Sequence, residues 1–510
     1  MCVLMGILCS FEFKTALDSK AIKRYNIANI HSVLLCQKLR LQLNLALWRS
    51  MREDKHPCIH DICDLLPITK EVMKYKKLAK HRFHTPGHKG KGHFLAEILD
   101  LSFDVTEVSD LDNLLMPTGC IKKSLENIRL VFKAKKAYMI TSGATTGILA
   151  AVYSVKDFGK VAILRSSHVS VYNACEIANV EPYIIDNVDN FGNTVKITPK
   201  LLEKALNNKK VGSILLTYPD YDGNAFDIEE IANLVKMAGK KLLIDCSHGT
   251  HFVFSDLFPK SCEKYADVWV CSAHKTLPVL TGGALLLVGN EQMIERVEKA
   301  YRLFHTTSPN YQLMMSMEYG VYMYSHYKEE FAALKKAVDS MKKTLIASDV
   351  YVLETDDFTR LVIDCAKMGI SGKELDMRLQ EKGIFCEYSS IDKVVFILTF
   401  EDDKEDLVKI TSPIIISAQQ CGQINRKKYL FPKRSKAKKS YLKARKSDYE
   451  YLSPENSVGR ICANAFGTYP PCLPICLPGE IITEEMVEFL ESEFDFYGLY
   501  NGKICVVKDL

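Results

Sequence analysis

Two apolar strands end in residues able to do chemistry. Lys-Lys-Leu-Leu-Ile-Asp245 ends in a carboxylate; thirty residues on, Ala-Asp-Val-Trp-Val-Cys-Ser272-Ala-His274-Lys275 ends in a hydroxyl, an imidazole and an amine. Earlier, Met-Ile-Thr-Ser-Gly143-Ala144-Thr145-Thr146-Gly147 follows a strand and opens a helix. A Gly/Thr turn at a helix start offers free N–H groups and a positive dipole end to a phosphate. A lysine among apolar strands can lose its proton and bond covalently to an aldehyde. A buried aspartate can keep a pyridine nitrogen protonated, which turns the ring into an electron sink. Phosphate, aldehyde and pyridine nitrogen are the three handles of pyridoxal 5′-phosphate.

These residues need a scaffold that brings strand ends together. Candidate strands are Ala137–Thr141, Val161–Arg165, Pro182–Ile185, Ser213–Tyr218, Lys241–Asp245, Val268–Ser272 and Ala284–Val288, with helical patterns such as Ile228–Ala238 between them. Strand and helix in alternation predict an α/β fold with a mostly parallel sheet covered on both faces. Such sheets bind ligands at the carboxyl ends of their strands. The stretch 310–345 predicts one long helix leaving the sheet domain. From Tyr351 on, shorter strand and helix pieces predict a second, smaller α/β domain. The expected division is an N-terminal extension over 1–59, a large cofactor-binding domain over 60–345, and a small C-terminal domain over 346–510 carrying a basic insertion at 426–446.

The chain has 510 residues, 47% hydrophobic and 25% charged, the composition of an ordinary globular protein. No apolar run approaches the roughly 20 residues of a membrane span. Eleven Lys/Arg and no Asp/Glu fall between Arg426 and Lys446, so the rest of the chain is net acidic despite the overall charge of +5. A solvated surface insertion is expected there, in preference to a nucleic-acid site, although Tyr429, Phe431 and Tyr441 could stack on bases. The seventeen cysteines are odd in number and form no CxxC pair, which fits free thiols in a reducing cytoplasm. His56, Cys58, His60 and Cys63 lie close together but lack a second cluster at finger spacing, so no metal site is expected. Leu34, Leu35, Leu39, Leu43 and Leu47 mark one stripe of an amphipathic stretch near the N-terminus.

From about residue 60 to the end, the chain resembles the bacterial ornithine/lysine/arginine decarboxylases of the aspartate-aminotransferase-like fold. The blocks are His84-Thr-Pro-Gly-His-Lys-Gly, Thr106-Glu-Val-Ser-Asp-Leu-Asp-Asn-Leu114, Thr217-Tyr-Pro-Asp-Tyr-Asp-Gly223, Ile244-Asp-Cys-Ser-His-Gly-Thr-His-Phe252, Ser272-Ala-His-Lys-Thr-Leu-Pro278, Gly459-Arg-Ile, Tyr469-Pro-Pro-Cys-Leu-Pro and Pro478-Gly-Glu480. The resemblance implies a pyridoxal-phosphate enzyme that removes the α-carboxyl of arginine, lysine or ornithine as carbon dioxide, in the cytoplasm, to feed polyamine synthesis.

The resemblance also assigns roles. Lys275 would bond to the cofactor, Asp245 would pair with its ring nitrogen, and His168 would stack on the ring and handle protons. Gly143, Ala144, Thr145, Ser272 and His274 would hold the phosphate, and His248 would pack beside the ring. The substrate's distal cation needs a carboxylate, since a buried unpaired charge is costly; Glu480 and Asp112 are the candidates, each of which could instead serve as a cap or turn residue. A homodimer or higher oligomer is implied.

Three departures from the family pattern stand out. Ala144 replaces a hydroxyl residue of the phosphate turn, Cys246-Ser247 stands where Glu-Ala is usual, and Cys472 replaces a glycine. The rival reading is an aminotransferase or aldolase on the same fold, with Arg460 as an available anchor for a substrate carboxylate.

Overall fold

In the computed structural model, the described residues are 65–508 apart from Phe400, Asp403, 424–429, Pro470, Pro471 and Glu493. The amphipathic stripe around Leu34–Leu47 and the His56–Cys63 cluster lie outside them.

The large sheet grows from helix-strand alternation. In chain order come α1 (Pro67–Leu78), α2 (Cys120–Val131), β1 (Lys136–Ile140), α3 (Ala144–Ser154), β2 (Lys160–Leu164), α4 (Val169–Ile177), β3 (Pro182–Ile185), α5 (Pro199–Asn207), β4 (Val211–Thr217), α6 (Ile228–Met237), β5 (Lys241–Asp245), β6 (Val268–Cys271) and β7 (Ala284–Val288). The order across the sheet is β1-β7-β6-β5-β4-β2-β3. The pairs β2/β3, β2/β4, β4/β5 and β5/β6 are parallel, whereas β7 runs antiparallel to both β6 and β1. Two reversals restore β1 to the common direction, so the residues following β1, β2, β4, β5 and β6 leave the same edge of the sheet. The seven expected strands are thus all present, with ends shifted by two residues at most.

Burial on both faces explains why the strands read as continuous apolar runs. Along β5, Leu242 and Ile244 join one hydrophobic cluster and Leu243 the other, at the strand period of two. Helix α3 lies close against the sheet at Gly147, where an added Cβ would meet Val270 at 2.7 Å and Ile140 at 2.9 Å.

Past the sheet, α7 (Ile294–Phe304) leads into α8 (Tyr311–His326) and α9 (Glu329–Ile346). The single long helix expected over 310–345 is therefore two. α8 ends where the Tyr327 N–H bonds back to Met323 and its ψ of 45° leaves the helical region. Phe331 of α9 then packs edge-on against Phe258 and Tyr324, which fixes the new direction.

A second sheet, β10-β11-β9-β8, is built from β8 (Val352–Leu353), β9 (Arg360–Asp364), β10 (Tyr388–Ser389) and β11 (Lys393–Ile397). It is flanked by α10 (Gly372–Gln380) and α11 (Lys404–Gln420). The C-terminal part contains α12 (Tyr441–Arg445), β12 (Tyr449–Leu452), β13 (Phe466–Tyr469), β14 (Leu473–Cys476), α13 (Glu484–Phe489), β15 (Asp495–Tyr497) and β16 (Ile504–Val507).

The basic stretch corrects an expectation. Where described, 430–446 is no solvated insertion: Phe431, Tyr441, Leu442 and Ala444 are buried, and Tyr441 stacks on Tyr172 of α4. Its arginines are engaged, Arg445 with Glu176 at 2.8 Å and Arg434 with Asp186 and the Val188 carbonyl. The apolar residues interleaved with the charges anchor the stretch, and nearby acids pair with its two described arginines, while Lys433, Lys436, Lys438 and Lys443 stay exposed. No helix of the described residues is long and apolar enough to cross a membrane.

Candidate active site

The common strand edge opens onto a cavity of about 310 Å³. Gly143, Ala144, Thr145, His168, Asp245, His248, Ser272, His274 and Lys275 all line it. Every cofactor-site residue expected from the sequence is thereby brought to one place.

Helix α3 begins at the cavity without a side-chain cap; Gly143 sits at φ 81° and its own N–H bonds to the Gly282 carbonyl. The first helical N–H groups, on Ala144 and Thr145, have no carbonyl four residues back to bond, so they suit an anion. The hydroxyl lost at Ala144 leaves these backbone donors intact. Ser272 is buried beside His274, whose Nδ1 lies 3.1 Å from the Gly283 carbonyl.

Asp245 is 3% exposed. Its Oδ1 accepts the Ser247 N–H at 3.1 Å and the Ser247 hydroxyl at 2.5 Å, and among the described residues nothing bonds to Oδ2. The Ser247 departure therefore reaches the chemistry as well as the packing, because its hydroxyl orients the carboxylate.

Lys275 leaves a one-turn helix, Ala273–Thr276, and its Nζ lies 3.0 Å from His248 Nε2. Burial pushes its pKa below the ordinary lysine value; Asp245 and Glu387 oppose that, and Arg360 adds to it. A lysine so placed gives up its proton more readily and is a better nucleophile.

His168 caps α4 with its ring: Nδ1 accepts the Ser170 N–H at 3.2 Å. Burial and, more weakly, Lys275 hold its pKa down against the pull of Asp245. Nδ1 being an acceptor, the proton of the neutral ring sits on Nε2.

Neither proposed substrate carboxylate lines the cavity. Asp112 accepts the N–H groups of Asn113, Thr118, Gly119, Ile121 and Lys122 and so caps the start of α2. Glu480 is buried against Arg165 and also takes the Leu477 N–H at 2.8 Å. Both are saturated within this chain, in the cap and turn roles open to them. Arg460 likewise bonds Glu450 and the Val507 carbonyl, and among the described residues no arginine lines the cavity.

Other residues of the site carried no assigned role. Asp220, Tyr221, Asp222 and Asn224 come from the loop after β4, and Tyr388 and Lys393 from the second sheet. Asp220 is taken by Thr194 and Asn224, and Asp222 by Lys393 and Tyr388, each at 2.5 Å. Tyr221 packs 4.4 Å from the His248 ring and donates its hydroxyl to Glu387 at 2.7 Å. Cys472 also lines the cavity. The Tyr218–Gly223 block was visible in the sequence, but the second-sheet residues had no signal tying them to the first.

Comparison with known proteins agrees with this geometry. A family model described as Orn/Lys/Arg decarboxylase, major domain, matches residues 66–355, and one described as its C-terminal domain matches 424–502. The protein YaaO of Bacillus subtilis (strain 168), of uncharacterized function, is 29% identical over 457 residues, covering 83% of this chain and 93% of its own. An arginine decarboxylase of Bacillus anthracis is 26% identical over 467 residues, covering 84% and 93%. The constitutive lysine decarboxylase of Escherichia coli superposes with a TM-score of 0.75 at 19% identity, covering 88% of this chain and 82% of that one, and shares the fold.

Proposed function

The chain belongs to the Orn/Lys/Arg decarboxylase family, and from that premise we propose that it removes the α-carboxyl group of a basic amino acid, arginine first among the three, using pyridoxal 5′-phosphate. One observation carries the reading. A half-buried lysine, a buried aspartate with an open oxygen, a histidine whose pKa is held down and an uncapped helix start meet in one cavity. The residues present fit the group: N–H donors and Ser272 suit the phosphate, Lys275 the aldehyde, and Asp245 the ring nitrogen. When bound, the cofactor supplies an electron sink for the pair left behind as carbon dioxide departs.

The chain's own residues do the rest. Asp245, fixed by Ser247, presents negative charge where a ring nitrogen must stay protonated. The Lys275 side chain, in its ammonium form, can deliver a proton to Cα, and His168 can do so once it has taken one up. Glu387 suits the substrate's distal cation: it lies just beyond the cavity lining and is exposed, its one side-chain bond among the described residues is from the neutral Tyr221 hydroxyl of that lining, and its charge reaches Lys275. The names of relatives favour arginine. The product would be the corresponding amine, of the class that feeds polyamine synthesis. A cytoplasmic homodimer or higher oligomer is part of the same reading, supported by exposed Phe83, Phe94 and Ile98 in the segment after α1.

The test is purified, cofactor-loaded protein with arginine, lysine and ornithine in turn, scoring carbon dioxide and amine. Release from arginine is expected to be fastest. No carbon dioxide from any of the three overturns the proposal, and an oxoacid product would assign transamination instead.

A further inference from the structure

Behind the site lies an arginine to which the reaction as described gives no task. Arg360, the first residue of β9, is 0% exposed although it carries a full charge. Its nominal counter-ion is Asp357, but that carboxylate lies 3.7 Å from Nη1 and is shared with His251, whose Nε2 is nearer at 3.1 Å. Nη2 turns the other way, 3.2 Å from the His248 carbonyl and 3.5 Å from His248 Nδ1. Nε has no partner. Nη1 also donates to Thr359 Oγ1 at 3.3 Å. A guanidinium kept only to neutralise an acid would make its shortest contact with that acid; this one makes it with the His248 carbonyl, which brings Nη2 beside the ring nitrogen of the same residue.

The approach is built into the neighbouring loop. At Gly223, with φ of 93°, an added Cβ would stand 2.5 Å from Arg360 Cγ, and the Gly223 carbonyl accepts the Asp357 N–H at 3.0 Å. Glycine there gives the arginine stem its passage from the second sheet beneath the cavity floor.

We propose that Arg360 is a positioning residue acting through His248: its guanidinium holds that ring as the neutral imidazole with the proton on Nε2, directed at the Lys275 nitrogen. A guanidinium has donors only, so the Nδ1 it faces must be an acceptor. The single proton of the neutral ring then lies on Nε2, 3.0 Å from Lys275 Nζ. The neutral amine accepts that N–H through its lone pair, which fixes the direction of Nζ, and the uncharged ring adds no cation of its own beside it. The groups facing His248 act in one direction. Lys275 after β6, Arg360 on β9, His168 at the head of α4 and His251 after β5 all disfavour a charge on it, and burial does so most; Tyr221 contributes an uncharged ring. Asp357 stands behind Arg360 and His251.

The role rests on reading Lys275 as the cofactor lysine, but its first test does not. The full chain, labelled with ¹⁵N-histidine and free of cofactor, is examined by NMR from pH 6 to 8, with the His248 signals assigned by their loss in His248→Gln. A neutral ring protonated on Nε2 throughout is expected. A ring protonated on Nδ1, or one that titrates in the wild-type chain, overturns the proposal, whether or not Arg360→Gln folds. In Arg360→Gln, His248 is expected to titrate within the window. In the loaded enzyme the acid limb of kcat/KM should move up by about one pH unit, roughly a tenfold loss at pH 6 relative to pH 8. Arg360→Lys, which keeps the charge, should return the limb to within about threefold of wild type; an equal shift in both variants, or in neither, overturns the proposal. A chain that decarboxylates nothing yet shows the expected tautomer sinks the function and leaves the positioning intact.

Discussion

Asp245 acts on Lys275 across the cavity. It closes β5 beside Val270 of β6, and β6 runs on into Lys275, so adjacent parallel strands deliver acid and amine to the same edge. Its negative charge is the largest influence opposing the burial that lowers the Lys275 pKa. Replacing Lys275 by Ala should abolish the yellow absorbance of the loaded protein and lower turnover by at least about a thousandfold. A retained band would remove Lys275 from its role.

The pH dependence of the cofactor-free chain follows from the same lysine. Its folded pKa is depressed, so between that value and the unfolded one the unfolded chain binds more protons and stability rises with pH. Lys275→Met should flatten this rise on the alkaline side of neutrality, as seen in urea midpoints measured at successive pH values.

Asp245→Asn keeps the shape and can still accept from Ser247, but it loses the charge. A fall in kcat of about 10²–10³ is expected, with KM changed little, because the missing interaction is made with charge that develops in the reaction. An equal loss in Asp245→Asn and Ser247→Ala would place the effect in orientation instead.

Glu387→Gln should raise KM for arginine about 10- to 100-fold and leave kcat within a few-fold, the expected loss of one charge-assisted hydrogen bond. The cofactor spectrum should be unchanged. An unaltered KM would move the distal contact to another acid.

Breaking the Arg165–Glu480 pair should cost stability rather than specificity. With both side chains buried, Glu480→Gln or Arg165→Met alone is expected to destabilise by about 3–5 kcal/mol, and the double change Arg165→Met/Glu480→Leu by less. Denaturant midpoints report this directly.

Asp112 offers a milder case. Burial pushes its carboxyl up, but the N–H groups of Thr118, Asn113, Gly119 and Lys122 together outweigh this, so its pKa is lowered. The stability it contributes is present above the unfolded pKa and is lost as pH falls through the folded one. Asp112→Ala should cost about 1–2 kcal/mol at pH 7, and the deficit should narrow on acidification.

Strand order in the chain and the residues at strand ends were legible because each depends on local pattern. Leu242–Ile244 is a short apolar run ending in a polar residue, and burial on both faces of a parallel sheet makes such a run conspicuous. Asp245, Lys275 and the Gly143 turn could be read from neighbours a few positions away. By contrast, Arg165 meets Glu480 at a separation of 315 residues and Arg360 meets His248 at 112, and no local pattern encodes such pairings. Glu480 and Asp112 were sensible acids by type, and only packing showed that both are consumed within the chain.

What the residues determined unaided was a chemical kit and the direction from which it is presented. What tertiary structure decided was which charges remain available to a substrate. An ion pair or a cap removes a carboxylate from use, and whether one forms depends on segments that meet only after the second sheet and the C-terminal strands have packed onto the first.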